Sequence, residues 1–375
     1  YYGPAAQHIR DYLALMTQAM QDAEIPLTCF DGGAWMDYKF VSKAQEIFRK
    51  ATEAVGDAEP FKQRLELANV PLQYASLVCP PDLLYERYAV TLRRPLGPTL
   101  DEYVAVLQGL GITHTVDKEP FEAVVEQIGG VTPPRRIESE LRILENEYYL
   151  IWVAPALDGA VIRWRDKKLG VELLQGYRCY GRGPGTLQEW YHTPEAQERA
   201  VASGYTVDSP TLYALALNTQ LPNGLAMKRE MELRPASPEF AITLTLTNTS
   251  QEPISPNVKI HPEFALGNES HPEIWFEENN RWTAVPSAAL NPQSMGGDYL
   301  KPLNGSRWAF RLPSRGLTLI NQFVPYQVES LFYFYNTLDS AEHINLELIP
   351  KQDPLQPGRS RQLKSIYSTS AKRLP

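Results

Sequence analysis

The chain has 375 residues, 43% of them hydrophobic and 21% charged, with a formal net charge of −8. That length suggests two domains with substantial cores. The acidic balance argues against a dedicated nucleic-acid binder, and no apolar run reaches the roughly 18 residues that a membrane-spanning helix needs. The short basic clusters, such as Arg135-Arg136 and Arg163 to Lys168, read as solvated strand ends or turns.

The first part reads as helical. Pro4 sits where a helix can begin, and Ile9, Tyr12, Leu13, Met16 and Met20 recur at helical spacing. A second helix is expected over Val41 to Val55, and a third over Phe61 to Val78 with a kink or break at Pro71. Cys79-Pro80-Pro81-Asp82 ends that set. Two shorter helices follow, Leu100–Leu110 behind a Thr99 cap and Pro120–Ile128 before Gly129-Gly130. Asp37, Glu46 and Glu53 read as loop or wet-side carboxylates, and Trp35 as packing between helices.

Character changes at Val131-Thr132-Pro133-Pro134. Beyond it come short alternating segments bounded by Gly, Pro, Asn and Asp, among them Arg136–Leu144, Glu147–Val153, Phe240–Asn248, Leu317–Phe323 and Ile344–Leu348. The expected class is therefore α+β, with an α-helical domain over 1–134 and a large antiparallel β-sandwich over 135–375. Three cysteines, Cys29, Cys79 and Cys179, show no metal spacing and no disulfide framework; one disulfide with a free thiol and three buried thiols both fit, and no metal or other cofactor is expected. His114, His271 and His343 have no partner at metal spacing and read as surface or structural.

Two short motifs carry the candidate chemistry. Pro256 to Phe264 contains His261-Pro262-Glu263-Phe264, and Ile344 to Leu348 contains Glu347. Each can place one ionisable tip on a shared sheet surface. A histidine beside a carboxylate is a minimal acid–base pair, and it also suits a sugar-binding sheet. A third segment, Cys179-Tyr180-Gly181-Arg182-Gly183-Pro184-Gly185 with Trp190, Tyr191 and His192 behind it, can present a guanidinium and an aromatic ledge to a sugar. A plain turn, with Arg182 holding a carboxylate, fits the same residues.

Several runs together resemble the aldose 1-epimerase (galactose mutarotase-like) superfamily. They are Leu157-Asp158-Gly159-Ala160, Gly224 to Leu233, Ile242 to Ser250, His261 to Phe264, and Leu346-Glu347-Leu348 followed by Leu355-Gln356-Pro357-Gly358. The resemblance covers roughly 150–370 and implies that sandwich fold. It implies Glu347 as the base that takes the anomeric proton and His261 as the acid that protonates the ring oxygen. The second histidine of that pattern has no clear counterpart here. The Tyr180-Gly181-Arg182-Gly183-Pro184 segment resembles one in the related sandwich of large β-galactosidases.

Residues 1–80 resemble the helical segment that follows an α-glucuronidase-like barrel in a group of bacterial glycosidase-like proteins. The start at Tyr1, without Met, reads as a processed protein or an excised fragment. The expected function is an ancillary carbohydrate-binding region of a secreted or periplasmic bacterial glycoside hydrolase-like protein. Its partners would be a mono- or oligosaccharide and an upstream catalytic barrel, with no nucleic acid or membrane. The alternatives are a mutarotase using Glu347 and His261, and a scaffold for that barrel.

Overall fold

A computed structural model describes residues 1–22, 36–79, 82–113, 136–174, 187–192, 198–200, 204–208, 210–267, 269, 271–285, 295–300, 305–336 and 343–372. The chain divides into two compact units, one of Tyr1–Leu84 with Thr91–Ile137, the other of Tyr85–Val90 with Glu138–Pro375. The class is α+β.

In the first unit a short 3-10 turn, Gly3–Ala5, leads into α1 (Ala6–Asp22). Next come α2 (Tyr38–Val55), α3 (Glu59–Val78) and α4 (Leu100–Gly109). Val41, Ala44, Phe48, Ala51 and Val55 recur every three or four residues, so α2 buries one face. That face meets Ile9 of α1 and Leu65, Leu72 and Ala75 of α3 in one apolar cluster, while Leu13 of the expected α1 stripe stays 48% exposed.

Local caps fix the helix starts. Asp37, read as a loop or wet-side carboxylate, stands in extended backbone just before α2 and accepts the Phe40 amide as its N-cap. Glu46 and Glu53 do lie on the wet face of α2, paired with Arg49. Pro71 does not break α3. The carbonyl it deprives of a partner is that of half-exposed Leu67, where water can serve instead. The helical run ends where Cys79-Pro80-Pro81-Asp82 was expected to close it, with Cys79 as the α3 C-cap, but strands that the sequence reading did not give follow. Asp82–Glu86 and Ala89–Arg93 are strands, in a small sheet with Arg136–Glu140. Ala89-Val90-Thr91-Leu92 packs best when extended, because Val90, Thr91 and Leu92 are all buried. Trp35, His114, the Pro120–Ile128 helix and the Val131–Pro134 change of character lie outside the described residues.

The second unit is an antiparallel sandwich. Its larger layer has nine strands in the order Thr206–Asp208, Ala214–Gln220, Leu225–Leu233, Glu239–Asn248, Ser360–Ser370, Leu317–Phe323, Arg307–Leu312, Glu273–Glu278 and Arg281–Ala284. Ser360–Ser370 therefore lies at the centre, paired with Glu239–Asn248 on one side and Leu317–Phe323 on the other.

The smaller layer is built from two sheets. One is Val258–Pro262, Leu187–His192 and Glu198–Ala200; the other is Phe264–Ala265, His343–Pro350, Val328–Asn336 and Met295–Leu300. The chain runs from Val258–Pro262 into Phe264–Ala265 through Glu263 alone, so the two sheets adjoin. A further four-stranded sheet joins Arg142–Glu145, Tyr149–Ala154, Ala160–Asp166 and Val171–Glu172. Trp164 of that sheet is fully buried between Tyr149, Phe240 and Tyr367, while Arg163, Arg165 and Lys167 around it stay partly exposed.

Strand alternation divides the smaller layer. Leu187, Val258, Ile260, Phe264, Ile344, Leu346 and Leu348 point into the core with Met227, Ile242 and Leu244 of the larger layer. The residues between them face away from that core, and it is there that the candidate chemistry sits.

Candidate functional site

His261 and Glu347 come together on this outer face. Nδ1 of His261 lies 2.5 Å from Glu347 Oε1, a close ion pair that is not aligned as a hydrogen bond. At the other side of the ring, Nε2 donates to Glu263 Oε1 at 3.1 Å, and the Asn345 amide lies 3.2 Å from the same nitrogen. Lys259 Nζ pairs with the second oxygen of Glu347. All four partners of the imidazole region are buried or nearly so, with Glu347 and Glu263 each 1% exposed.

Register explains why these groups meet. His261 pairs across the ladder with Gln188, and Lys259 with Trp190. On the neighbouring sheet, Phe332 stands opposite Glu347 and Phe334 opposite Asn345. Residues two apart on a strand share a face. Lys259, His261 and Glu263 therefore form one row, Asn345 and Glu347 a second, Gln188 and Trp190 a third. Trp190 stacks on the His261 ring at a centroid distance of 4.1 Å and an angle of 17°.

The charges settle into a definite state. Burial alone would push the His261 imidazole down, but the Glu347 charge and the hydrogen bond to Glu263 outweigh it and hold it up at about 9. Burial would raise the Glu347 carboxyl, yet the positive charges of His261 and Lys259 hold it below its ordinary range. With His261 protonated, the formal charges of Lys259 and His261 balance those of Glu263 and Glu347.

Around this ion cluster lie buried polar atoms with no hydrogen-bond partner among the described residues. They are both amide atoms of Gln188, the Trp190 indole Nε1, Asn345 Oδ1 and Glu263 Oε2. A buried donor or acceptor left unpaired costs about 1–3 kcal/mol, so these five atoms call for partners beyond the described residues. Among the described residues, no group of three or more His, Cys, Asp or Glu side chains is arranged to hold a metal ion.

Tyr191, expected to bind substrate, sits on the other side of its strand and packs against the sandwich core. Alternation puts Tyr191 on the opposite side of the strand from Trp190. His192 closes the strand, and its side chain lies outside the described residues, as does all of Arg182 with its Gly-rich segment. His343 is not a surface residue; it is fully buried at the head of its strand. Sequence reasoning missed Lys259, Glu263, Gln188 and Asn345. The signal was the period of two: each lies two residues from His261, Trp190 or Glu347.

A second buried ion pair lies behind this face. Arg229 Nη1 meets both oxygens of Glu189 at 2.9 and 3.0 Å, and both side chains are fully buried. The Tyr205 hydroxyl donates to Glu189 at 3.0 Å, and Arg229 Nη2 donates to the Gly159 carbonyl. Gly159 has a φ of +64°, and a Cβ there would come within 2.9 Å of Arg229 Nη2. Only glycine fits both the turn and the approach.

No protein-family model matches this sequence, and neither does any curated protein. Solved structures do. A TPR-domain containing protein from Parabacteroides distasonis is similar over 65% of this chain and 50% of its own, at 14% identity and a TM-score of 0.52. The Slr1438 protein of Synechocystis is similar over 65% of this chain and 99% of its own, at 13% identity and a TM-score of 0.50. A galactose mutarotase-like protein from Lactobacillus casei is similar over 61% of this chain and all of its own, at 12% identity and a TM-score of 0.48. At these identities the likeness is one of fold.

Proposed function

We propose that the outer face of the smaller layer binds a neutral mono- or oligosaccharide, and that the chain is an ancillary carbohydrate-binding region. One observation carries this. Unpaired buried donors and acceptors converge beside an aromatic ring on one face of a sheet. Sugar hydroxyls both donate and accept, which matches the mixture of donors and acceptors on Gln188, Trp190, Asn345 and Glu263. Net neutrality of the ion cluster favours an uncharged ligand over an anionic one. The test is titration calorimetry against neutral sugars and uronates with divalent ions chelated. Weak, cation-independent binding of a neutral sugar is expected, reduced by Gln188→Ala. Absence of heat at millimolar sugar would remove the proposal.

A second reading, aldose epimerisation, is favoured by the protonation states. His261 holds the proton that an acid must give, and Glu347 is ionised as a base must be. Against it, Lys259 and His261 already occupy both Glu347 oxygens. Polarimetry on freshly dissolved sugars separates the two readings. Epimerisation requires accelerated mutarotation that Glu347→Gln abolishes.

For the wider context we propose a secreted or periplasmic bacterial glycoside hydrolase-like protein with a catalytic barrel upstream, supported by the motif resemblance of residues 1–80. Reading the codons that precede Tyr1 tests this directly.

A further inference from the structure

The strand Leu187–His192 contributes Gln188 and Trp190 to the candidate site, and Glu189 lies between them. By alternation Glu189 points the opposite way, into the sandwich interior. There it meets Arg229, which takes an inward position of Leu225–Leu233 beside buried Met227 and Met231. The two strands belong to opposite layers of the sandwich.

Stability alone does not account for this arrangement. A fully buried ion pair sacrifices the hydration of both charges, and apolar residues of similar volume often hold a core equally well. What apolar residues lack is direction. Arg229 grips both carboxylate oxygens, Tyr205 adds a third bond, and the Gly159 carbonyl fixes the far end of the guanidinium. Together these bonds pin the strand against sliding along its axis. A slide of one residue, about 3.3 Å, would exchange the two faces and remove Trp190 from His261.

We propose that Glu189, Arg229 and Tyr205 are positioning residues, a polar clamp across the sandwich that seats Gln188 and Trp190 for sugar binding. The proposal rests on the carbohydrate reading of the outer face.

The test uses the full chain carrying Glu189→Met with Arg229→Met, and separately Tyr205→Phe. The first replaces the clamp with apolar volume; the second deletes one hydrogen bond. Two readouts are taken beside a thermal melt. One is affinity for the best-bound monosaccharide from the calorimetric panel. The other needs no sugar: the change in Trp190 emission as His261 loses its proton, since a protonated imidazole stacked on an indole quenches it. The Trp190 signal is isolated by subtracting the spectrum of Trp190→Phe.

The wild type is expected to brighten with a midpoint near pH 9. The double variant is expected to melt near the wild-type temperature, lose this step, and bind sugar about tenfold more weakly or worse. Tyr205→Phe is expected to weaken binding less, and to blunt the step. A folded double variant with an unchanged step and unchanged affinity overturns the proposal. If the double variant does not fold, Tyr205→Phe decides by the same two readouts, and an unchanged step with unchanged affinity again overturns it. Should no protein bind sugar while the step still vanishes in the double variant, the carbohydrate reading falls and the seating of Trp190 by the clamp stands.

Discussion

His261 sits between two carboxylates, Glu347 at one ring nitrogen and Glu263 at the other. Its folded value near 9 lies above the ordinary 6.5, so its contribution to stability is complete below pH 6.5 and is lost as pH rises through 9. Glu347 is shifted the other way; its contribution is present above the ordinary carboxyl value of 4.5 and is lost as pH falls below it. The pair therefore stabilises most between those two ordinary values. An NMR titration of the His261 ring should give a midpoint near 9, and Glu347→Gln should lower it by one unit or more; a wild-type midpoint at or below 6.5 would refute the ion pair. His261 and Glu347 were legible because each sits in a recognisable short motif. Lys259 and Glu263 were not, because a lysine or glutamate flanking a histidine reads as a solvated charge until the strand and its neighbours are known. Nothing local in the sequence indicates that Glu189 will find Arg229, 40 residues away along the chain.

Elements were legible where one face is apolar and the other polar. Glu239–Asn248 alternates along its whole length, and every second residue is buried. Ser360–Ser370 went unseen because Ser365 and Thr369 take core-facing positions that the pattern reserves for apolar side chains. Thr369 is held there by the Tyr149 hydroxyl and Asp166, contacts that no period reveals. Helix starts were better marked. Thr99 and Glu102 form a reciprocal capping box at α4, with the Glu102 amide 3.2 Å from Thr99 Oγ1 and the Thr99 amide 2.7 Å from Glu102 Oε2. Thr99→Ala should cost about 1 kcal/mol. Urea unfolding followed by helical circular dichroism measures it, and a loss indistinguishable from zero would mean the cap does not limit α4.

At the scale of the molecule, each compact unit has its own apolar cluster, one around Phe48 and Leu72 and the other around Trp164 and Trp308. Separate cores unfold as separate cooperative blocks. Scanning calorimetry of the full chain should therefore show two transitions, and only the one assigned to the β-rich unit should rise on adding a bound sugar. One transition, or a shift in both, would contradict this. The break in sequence character near Val131 signalled two kinds of architecture. It gave no sign that Tyr85–Val90 belongs with the β-rich unit while Thr91–Ile137 returns to the first. Such interleaving depends on which distant strands pair, which a linear pattern does not record. The centrality of Ser360–Ser370 carries a consequence for biosynthesis. Until a ribosome has released that segment, the strands Glu239–Asn248 and Leu317–Phe323 have no partner between them, and two half-sheets wait with open edges. The nascent sandwich is then at its most prone to clump, and closes only when its central strand arrives last.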